Sequence, residues 1–171
     1  QLGDRVEIYH IPTSKFKTGG ISITFCDNLS RERAYKNALI PMILCRGCRT
    51  LPTARDIAKK FQSLYGADFG TNVDKKGEIQ LIQFSADFVE DKYVGNYKDL
   101  FRTVAEVMLQ IITDPCTENG GFCKSYFEQE RQNNNDFIRG LKNDKKTYAL
   151  LRCQEIMCAD EPYGVHEMGS P

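Results

Sequence analysis

Apolar and polar positions alternate along Arg5–Ile11, with Val6, Ile8 and His10 in one phase, and again along Ile21–Cys26, with Ile21, Ile23 and Phe25 in one phase. A period of two predicts two strands, joined by the turn-rich stretch Pro12–Gly20, with one face of each toward a core. The period then changes. Ala34, Tyr35, Ala38, Leu39, Met42 and Ile43 recur at helical spacing behind Ser30, an N-cap candidate. Arg46-Gly47 and Leu51-Pro52 break that pattern. Thr53, with Asp56 three residues on, predicts the start of a second helix. Its apolar stripe is Ile57, Ala58, Phe61, Leu64 and Tyr65, and Gly66 supplies the C′ stop.

Ala67–Lys76 and Glu78–Phe88 read as a second strand pair around Lys75-Lys76-Gly77. In the latter strand Ile79 and Leu81 sit in one phase, but Ile82, Phe84, Ala86 and Phe88 sit in the other. That switch predicts a bulge, or a strand buried on both faces. Leu100, Phe101, Val104, Val107, Met108, Ile111 and Ile112 form a broad helical stripe that Asp114-Pro115 ends. Leu100, Val104, Val107, Met108 and Ile111 are expected to pack against the sheet. A helix over Phe122–Leu141 has Phe127, Phe137, Ile138 and Leu141 as apolar residues, and its polar middle, Gln129–Asp136, predicts one face looking into water or a cavity. A last helix, Lys145–Ala159, carries Tyr148, Leu151, Ile156 and Met157 before Glu161-Pro162-Tyr163-Gly164. The order ββ-αα-ββ-ααα predicts an α+β domain: an antiparallel-rich sheet with helices packed mainly on one face.

Composition narrows the function classes. Lysine plus arginine and aspartate plus glutamate each number 23 in 171 residues, so no global field draws in nucleic acid or an anionic membrane. No apolar run reaches the length of a membrane span, and the N-terminal stretch lacks a signal-peptide core. Seven irregularly spaced cysteines point to reduced thiols and a cytoplasmic protein. There is no internal repeat, low-complexity tract or linker, so residues 1–171 read as one domain.

Among candidate chemistry, Cys45-Arg46-Gly47-Cys48 is a CxxC that could ligate zinc or exchange disulfides. Zinc needs a second pair, and Cys116/Cys123 and Cys153/Cys158 have six and four residues between them. A redox CxxC opens a helix, whereas this one closes one, so two small residues at an elbow is the competing reading. Lys15-Phe16-Lys17 and Lys75-Lys76-Gly77 lack the glycine cradle of a phosphate loop and read as solvated turns. Glu128 and Glu130, two apart on a helix, face different ways. Pro41 inside a helix removes the bond to the Asn37 carbonyl, at about 3 kcal/mol unless compensated, and reads as a kinked core helix or a hinge.

The run Gly47–Phe69, GCRTLPTARDIAKKFQSLYGADF, resembles the start of the insulinase/pitrilysin metallopeptidase family, where an HxxEH helix leads through an elbow to a second helix and a glycine turn. The resemblance extends over nearly the whole chain, and is closer still to the non-catalytic bacterial branch associated with 5-aminopentanol modification of elongation factor P. By that resemblance the HxxEH motif falls on Asn37-Ala38-Leu39-Ile40-Pro41, or on Ala38–Met42 one residue on, and neither window holds histidine or glutamate. Matching Glu130-Arg131 to the family's Glu-Arg pair places the distal ligand on Phe137. The motif works because residues at i and i+4 share a helix face, so two imidazoles bind one zinc ion while the glutamate activates its water. The substitutions at Asn37, Ala38, Ile40, Pro41 and Phe137 therefore imply a peptidase-like half-domain without metal, cofactor or activity. The family builds clamshells from two such domains per chain, which implies a paralogous zinc-bearing subunit or self-association, and a peptide or protein ligand. The rivals are a cysteine-based module using Cys45 and Cys48, and a purely structural interaction domain. In the family the half-domain continues past the Tyr-Gly turn, so the resemblance also implies truncation at Ser170-Pro171. Of a sheet's two open edges, one is then expected to leave an exposed apolar patch of a few hundred Å² or to be covered by a partner copy.

Overall fold

The central strand of the sheet pairs with both of its neighbours. In the computed structural model, which describes residues 5–95 and 99–170, three antiparallel strands run β1 (Thr18–Asn28), β2 (Asp68–Lys76) and β3 (Ile79–Val89), in the order β1-β3-β2. Lys76-Gly77-Glu78 turns β2 into β3, with Gly77 at φ 58°, a conformation glycine adopts without steric cost. Every residue of β3 is in register with β1, so no bulge forms. The apparent phase switch has another cause. Gln80, Ile82, Phe84, Ala86 and Phe88 are all buried, and the polar Gln80 hides the regularity of that face. The opposite phase, Ile79, Leu81, Gln83 and Ser85, is half-buried.

The strand expected at Arg5–Ile11 does not form, and the sheet has three strands rather than four. Val6, Ile8, Tyr9, Ile11 and Phe16 are exposed. Alternation specifies a strand only where a neighbour covers one phase; in the described residues β1 pairs with β3 alone.

α1 (Ala34–Leu44) buries Ala34, Ala38, Leu39, Pro41, Ile43 and Leu44, which wrap round the whole helix rather than forming a stripe. Ser30 is not its side-chain cap. Arg33 holds the N-cap position, and the Ser30 carbonyl accepts from the Arg33 and Ala34 N–H groups at 3.2 and 2.9 Å. α2 (Ala54–Ser63) starts as expected, with Thr53 Oγ1 accepting the Asp56 N–H at 3.2 Å. Ile57, Phe61 and Leu64 are buried, whereas Ala58 and Tyr65 face solvent. Both Tyr65 (φ 58°) and Gly66 (φ 70°) are left-handed, so the stop takes two residues.

α3 (Leu100–Thr113) follows its predicted stripe. Leu100, Val104, Val107, Met108 and Ile111 are buried in one cluster with Ile82, Phe84, Ala86 and Phe88 of β3. A two-residue hairpin, β4 (Thr117–Glu118) and β5 (Gly121–Phe122), follows round Asn119-Gly120; the sequence reading had Phe122 in a helix. α4 (Lys124–Gly140) and α5 (Lys145–Met157) follow, and Asp144 caps α5 through the Lys146 and Thr147 N–H groups at 3.1 Å. No residue of α5 is fully buried, and Ile156 and Met157 are exposed. Among the described residues the architecture is α+β, with a small antiparallel sheet and five α-helices. No helix of the described residues is long and apolar enough to cross a membrane.

Candidate functional site

The first turn of α1 lies over the end of the sheet where the β2–β3 turn lies. Asp27 and Lys75 stand opposite Gln80 on either side, so a polar row spans all three strands. The Asn37 amide, projecting from α1, donates to Asp27 Oδ2 at 2.9 Å and to Gln80 Oε1 at 3.0 Å. Gln80, fully buried, donates to the Ala34 carbonyl at 3.0 Å and the Glu167 carbonyl at 2.6 Å. Arg33 Nη1 lies 3.0 Å from Asp27 Oδ1 and neutralises it.

Lys75 does not behave as a solvated turn residue. Its side chain is 9% exposed, and Nζ donates to the carbonyls of Tyr163 at 2.9 Å and Val165 at 2.7 Å. Burial pulls its pKa below the ordinary lysine value, partly offset by the Glu167 carboxylate 3.8 Å away. Lys75 and Gln80 together take the carbonyls of Tyr163, Val165 and Glu167, tying the segment after α5 to the sheet.

α4 lies against α1; Gln129, Arg131, Gln132, Asn133 and Asp136 of its polar middle face solvent as expected, but two polar residues turn inward. Glu130 and Asn134 are its buried residues, while Phe127 and Phe137 are exposed. Positions 130 and 134 share one helix face, and each meets a specific partner. The Arg46 guanidinium reaches Glu130 with Nε and Nη2, and Asn133 Nδ2 adds a bond to the same carboxylate at 3.2 Å. Asn134 Nδ2 donates to the Met168 carbonyl at 3.3 Å. Tyr35 Oη donates to Asn135 Oδ1 at 2.6 Å, tying α1 to α4 directly. Glu128 and Glu130 point apart as expected, Glu128 pairing with Arg131 at 2.6 Å on the surface.

The positions singled out by resemblance fall as follows. Asn37 is committed to Asp27 and Gln80; Ala38 is 0% exposed; Ile40 packs against the core; Pro41 is enclosed. Phe137 is 51% exposed, off the buried line of α4. A zinc site needs nitrogen, sulfur or carboxylate donors converging on an open position. These five residues offer none, and Glu130, the nearby carboxylate on α4, is engaged by Arg46. The set does not fit a family-type zinc ion. His10 is exposed on the N-terminal segment, and His166 Nδ1 accepts the Met168 N–H at 3.0 Å.

The CxxC closes α1: Cys45 occupies its C-cap, and Cys48 is buried in the elbow. Burial pushes the Cys45 thiol up to about 11, against a weaker opposing hydrogen bond with Thr71, 4.0 Å away. Zinc ligation and disulfide exchange both need the thiolate, and this site disfavours it. Among the described residues no three histidine, cysteine, aspartate or glutamate side chains gather as a metal site. One prediction follows from the sign of that shift. The unfolded thiol ionises near 9.0 and the folded one near 11, so the Cys45 contribution is complete below pH 9 and lost between 9 and 11. Urea unfolding across that range should show wild-type stability falling relative to Cys45→Ala, by on the order of 2–3 kcal/mol.

With this geometry in place, comparison with known proteins is informative. No known protein family's sequence profile matches the chain. It is 28% identical over 159 residues to a Bacillus subtilis (strain 168) protein named probable inactive metalloprotease YmfF. It resembles a metalloprotease-like protein named as inactive. The match takes in 93% of this chain and 37% of that protein. A crystal structure of a conserved protein from Enterococcus faecalis V583 superposes with a TM-score of 0.86 at 27% identity, covering 94% of this chain and 38% of that one. The chain thus spans less than two-fifths of either relative's length.

Proposed function

We propose that residues 1–171 are a catalytically silent half-domain of the insulinase/pitrilysin type, acting as the non-catalytic partner of a zinc-bearing paralogue. The observation that carries this reading is the closed state of the Asn37–Pro41 turn of α1. Its one polar side chain is spent on Asp27 and Gln80, and Ala38 and Pro41 are enclosed. The helix turn that would present ligands in an active member of that family is here bonded inward. Similarity to a protein named an inactive metalloprotease supports the same reading. A half-domain of this kind shapes a chamber for a peptide or protein ligand with its partner, in the cytoplasm, and the elongation factor P branch is the finer assignment. The CxxC alternative is weakened by the burial that raises the Cys45 thiol.

Co-expression of the full-length protein with an HxxEH-bearing paralogue from the same genome tests the partnership. The reading expects one complex on size exclusion with light scattering, and peptide hydrolysis that fails when the paralogue's HxxEH glutamate is replaced. Two proteins eluting separately, with the paralogue fully active alone, would refute the partner role.

A further inference from the structure

Two thiols flank the β4–β5 hairpin. The ladder pairs Glu118 with Gly121 and Thr117 with Phe122, round Asn119 and Gly120 at φ 51° and 80°, a type I′ turn. Cys116 and Cys123 are the next residues outward, past the last paired rung. Ladder geometry continued by one rung would set their Cα atoms about 4.5–5.5 Å apart, inside the roughly 4.4–6.8 Å window of a disulfide. Cys123 is still extended, at φ −54° and ψ 122°, and its Sγ lies 3.6 Å from the Cys116 carbonyl oxygen. Both cysteines are free and half-buried.

The backbone holds Cys116 in place independently of the hairpin. Its N–H donates to the Gly47 carbonyl at 3.3 Å, and Pro115 bridges Cys48 on the elbow. Cys48 is the other thiol nearby, but it is fully buried and faces the Thr50 hydroxyl at 3.5 Å. Cys123 stands at the N-cap of α4, the helix whose Glu130 is bound by Arg46 of the same elbow.

We propose that Cys116 and Cys123 are a redox modification site: a vicinal pair across a hairpin that closes to an intramolecular disulfide and pins the start of α4 to the elbow side of the domain. The oxidant is a small-molecule disulfide of the glutathione class. The Cys123 thiolate attacks it, forming a mixed disulfide and expelling one small thiolate. Cys116 then attacks the Cys123 sulfur and expels the second. The two protein thiols lose two electrons and two protons in all, the oxidant's disulfide is reduced to two thiols, and one protein S–S bond forms. Burial raises the Cys116 thiol, which slows the second, resolving step relative to the first.

The test treats the purified full chain with glutathione disulfide, blocks the remaining thiols with iodoacetamide, and digests it with a glutamate-specific protease. Cleavage after Glu118 separates the two cysteines. Without reduction, the peptides carrying Cys116 and Cys123 should be recovered joined, from protein that shows no cross-linked dimer on a non-reducing gel. Cys116→Ser should abolish the joined product completely and leave Cys123 as a glutathione adduct; Cys123→Ser should abolish it too. Alkylation of the two thiols in untreated wild type gives a check that requires no variant: both should lose reactivity together on oxidation. Recovery of both as free thiols while other cysteines oxidise would overturn the proposal. So would Cys116 joined to Cys48, or disulfides only between molecules.

Discussion

Replacing Arg46 with alanine should lower the stability of the domain by about 3–5 kcal/mol, a large part of what a domain of this size has. The Glu130 side chain is 9% exposed, and Arg46 meets it with two nitrogens. Without the guanidinium, the carboxylate keeps the Asn133 amide at 3.2 Å and little else to offset its lost hydration. Breaking one half of a buried pair costs far more than removing the pair, because the remaining charge stays desolvated. The double variant Arg46→Met/Glu130→Met should therefore recover most of the loss. Arg46→Lys keeps the charge but not the fork, and should fall between. Urea unfolding of the four proteins decides the matter. A cost below about 1 kcal/mol for Arg46→Ala would place this pair among ordinary surface bridges, which contribute that little.

Gln80→Leu should cost about 3 kcal/mol or more, although leucine is similar in size and more hydrophobic. Gln80 is wholly enclosed and satisfies three groups: the Asn37 amide, the Ala34 carbonyl and the Glu167 carbonyl. Each buried polar group left without its partner costs about 1–3 kcal/mol, against a small gain from the added apolar surface. The damage should be local as well as global. Amide exchange should accelerate in the first turn of α1 and in Pro162–Gly169, with α3 protected until global unfolding. Slower exchange in both segments, or a gain in stability, would mean that the polar row contributes nothing to holding α1 on the sheet.

These two sites also mark where sequence reading stops. α3 was legible because Leu100, Val104, Val107, Met108 and Ile111 are spaced at the helical period and meet an apolar sheet. Thr53 was legible because capping is decided within three residues. Glu130 and Asn134 were not, because hydropathy assigns such residues to water. Their burial depends on Arg46 and Met168, 84 and 34 residues away in the chain. Gln80 misled in the same way, breaking an apolar phase that the fold keeps intact. The Arg5–Ile11 alternation misled in the opposite sense, since a pattern does not make a strand without a neighbour. Asn119-Gly120 carried a hairpin signal that strands of only two residues concealed. The positions that the resemblance singles out were readable as residue types; the inward bonding of Asn37 was not, since Asp27 and Gln80 come from separate strands.

Zinc binding by the purified chain tests the central claim most directly. Metal-stripped protein, with accessible thiols blocked by iodoacetamide, is titrated with zinc and read by native mass spectrometry beside Asn37→Ala. With Asn37 bonded inward and Ala38, Ile40, Pro41 and Phe137 lacking metal-binding side chains, the predicted result is no stoichiometric zinc in either protein. One zinc equivalent in the parent chain, lost in Asn37→Ala, would contradict it.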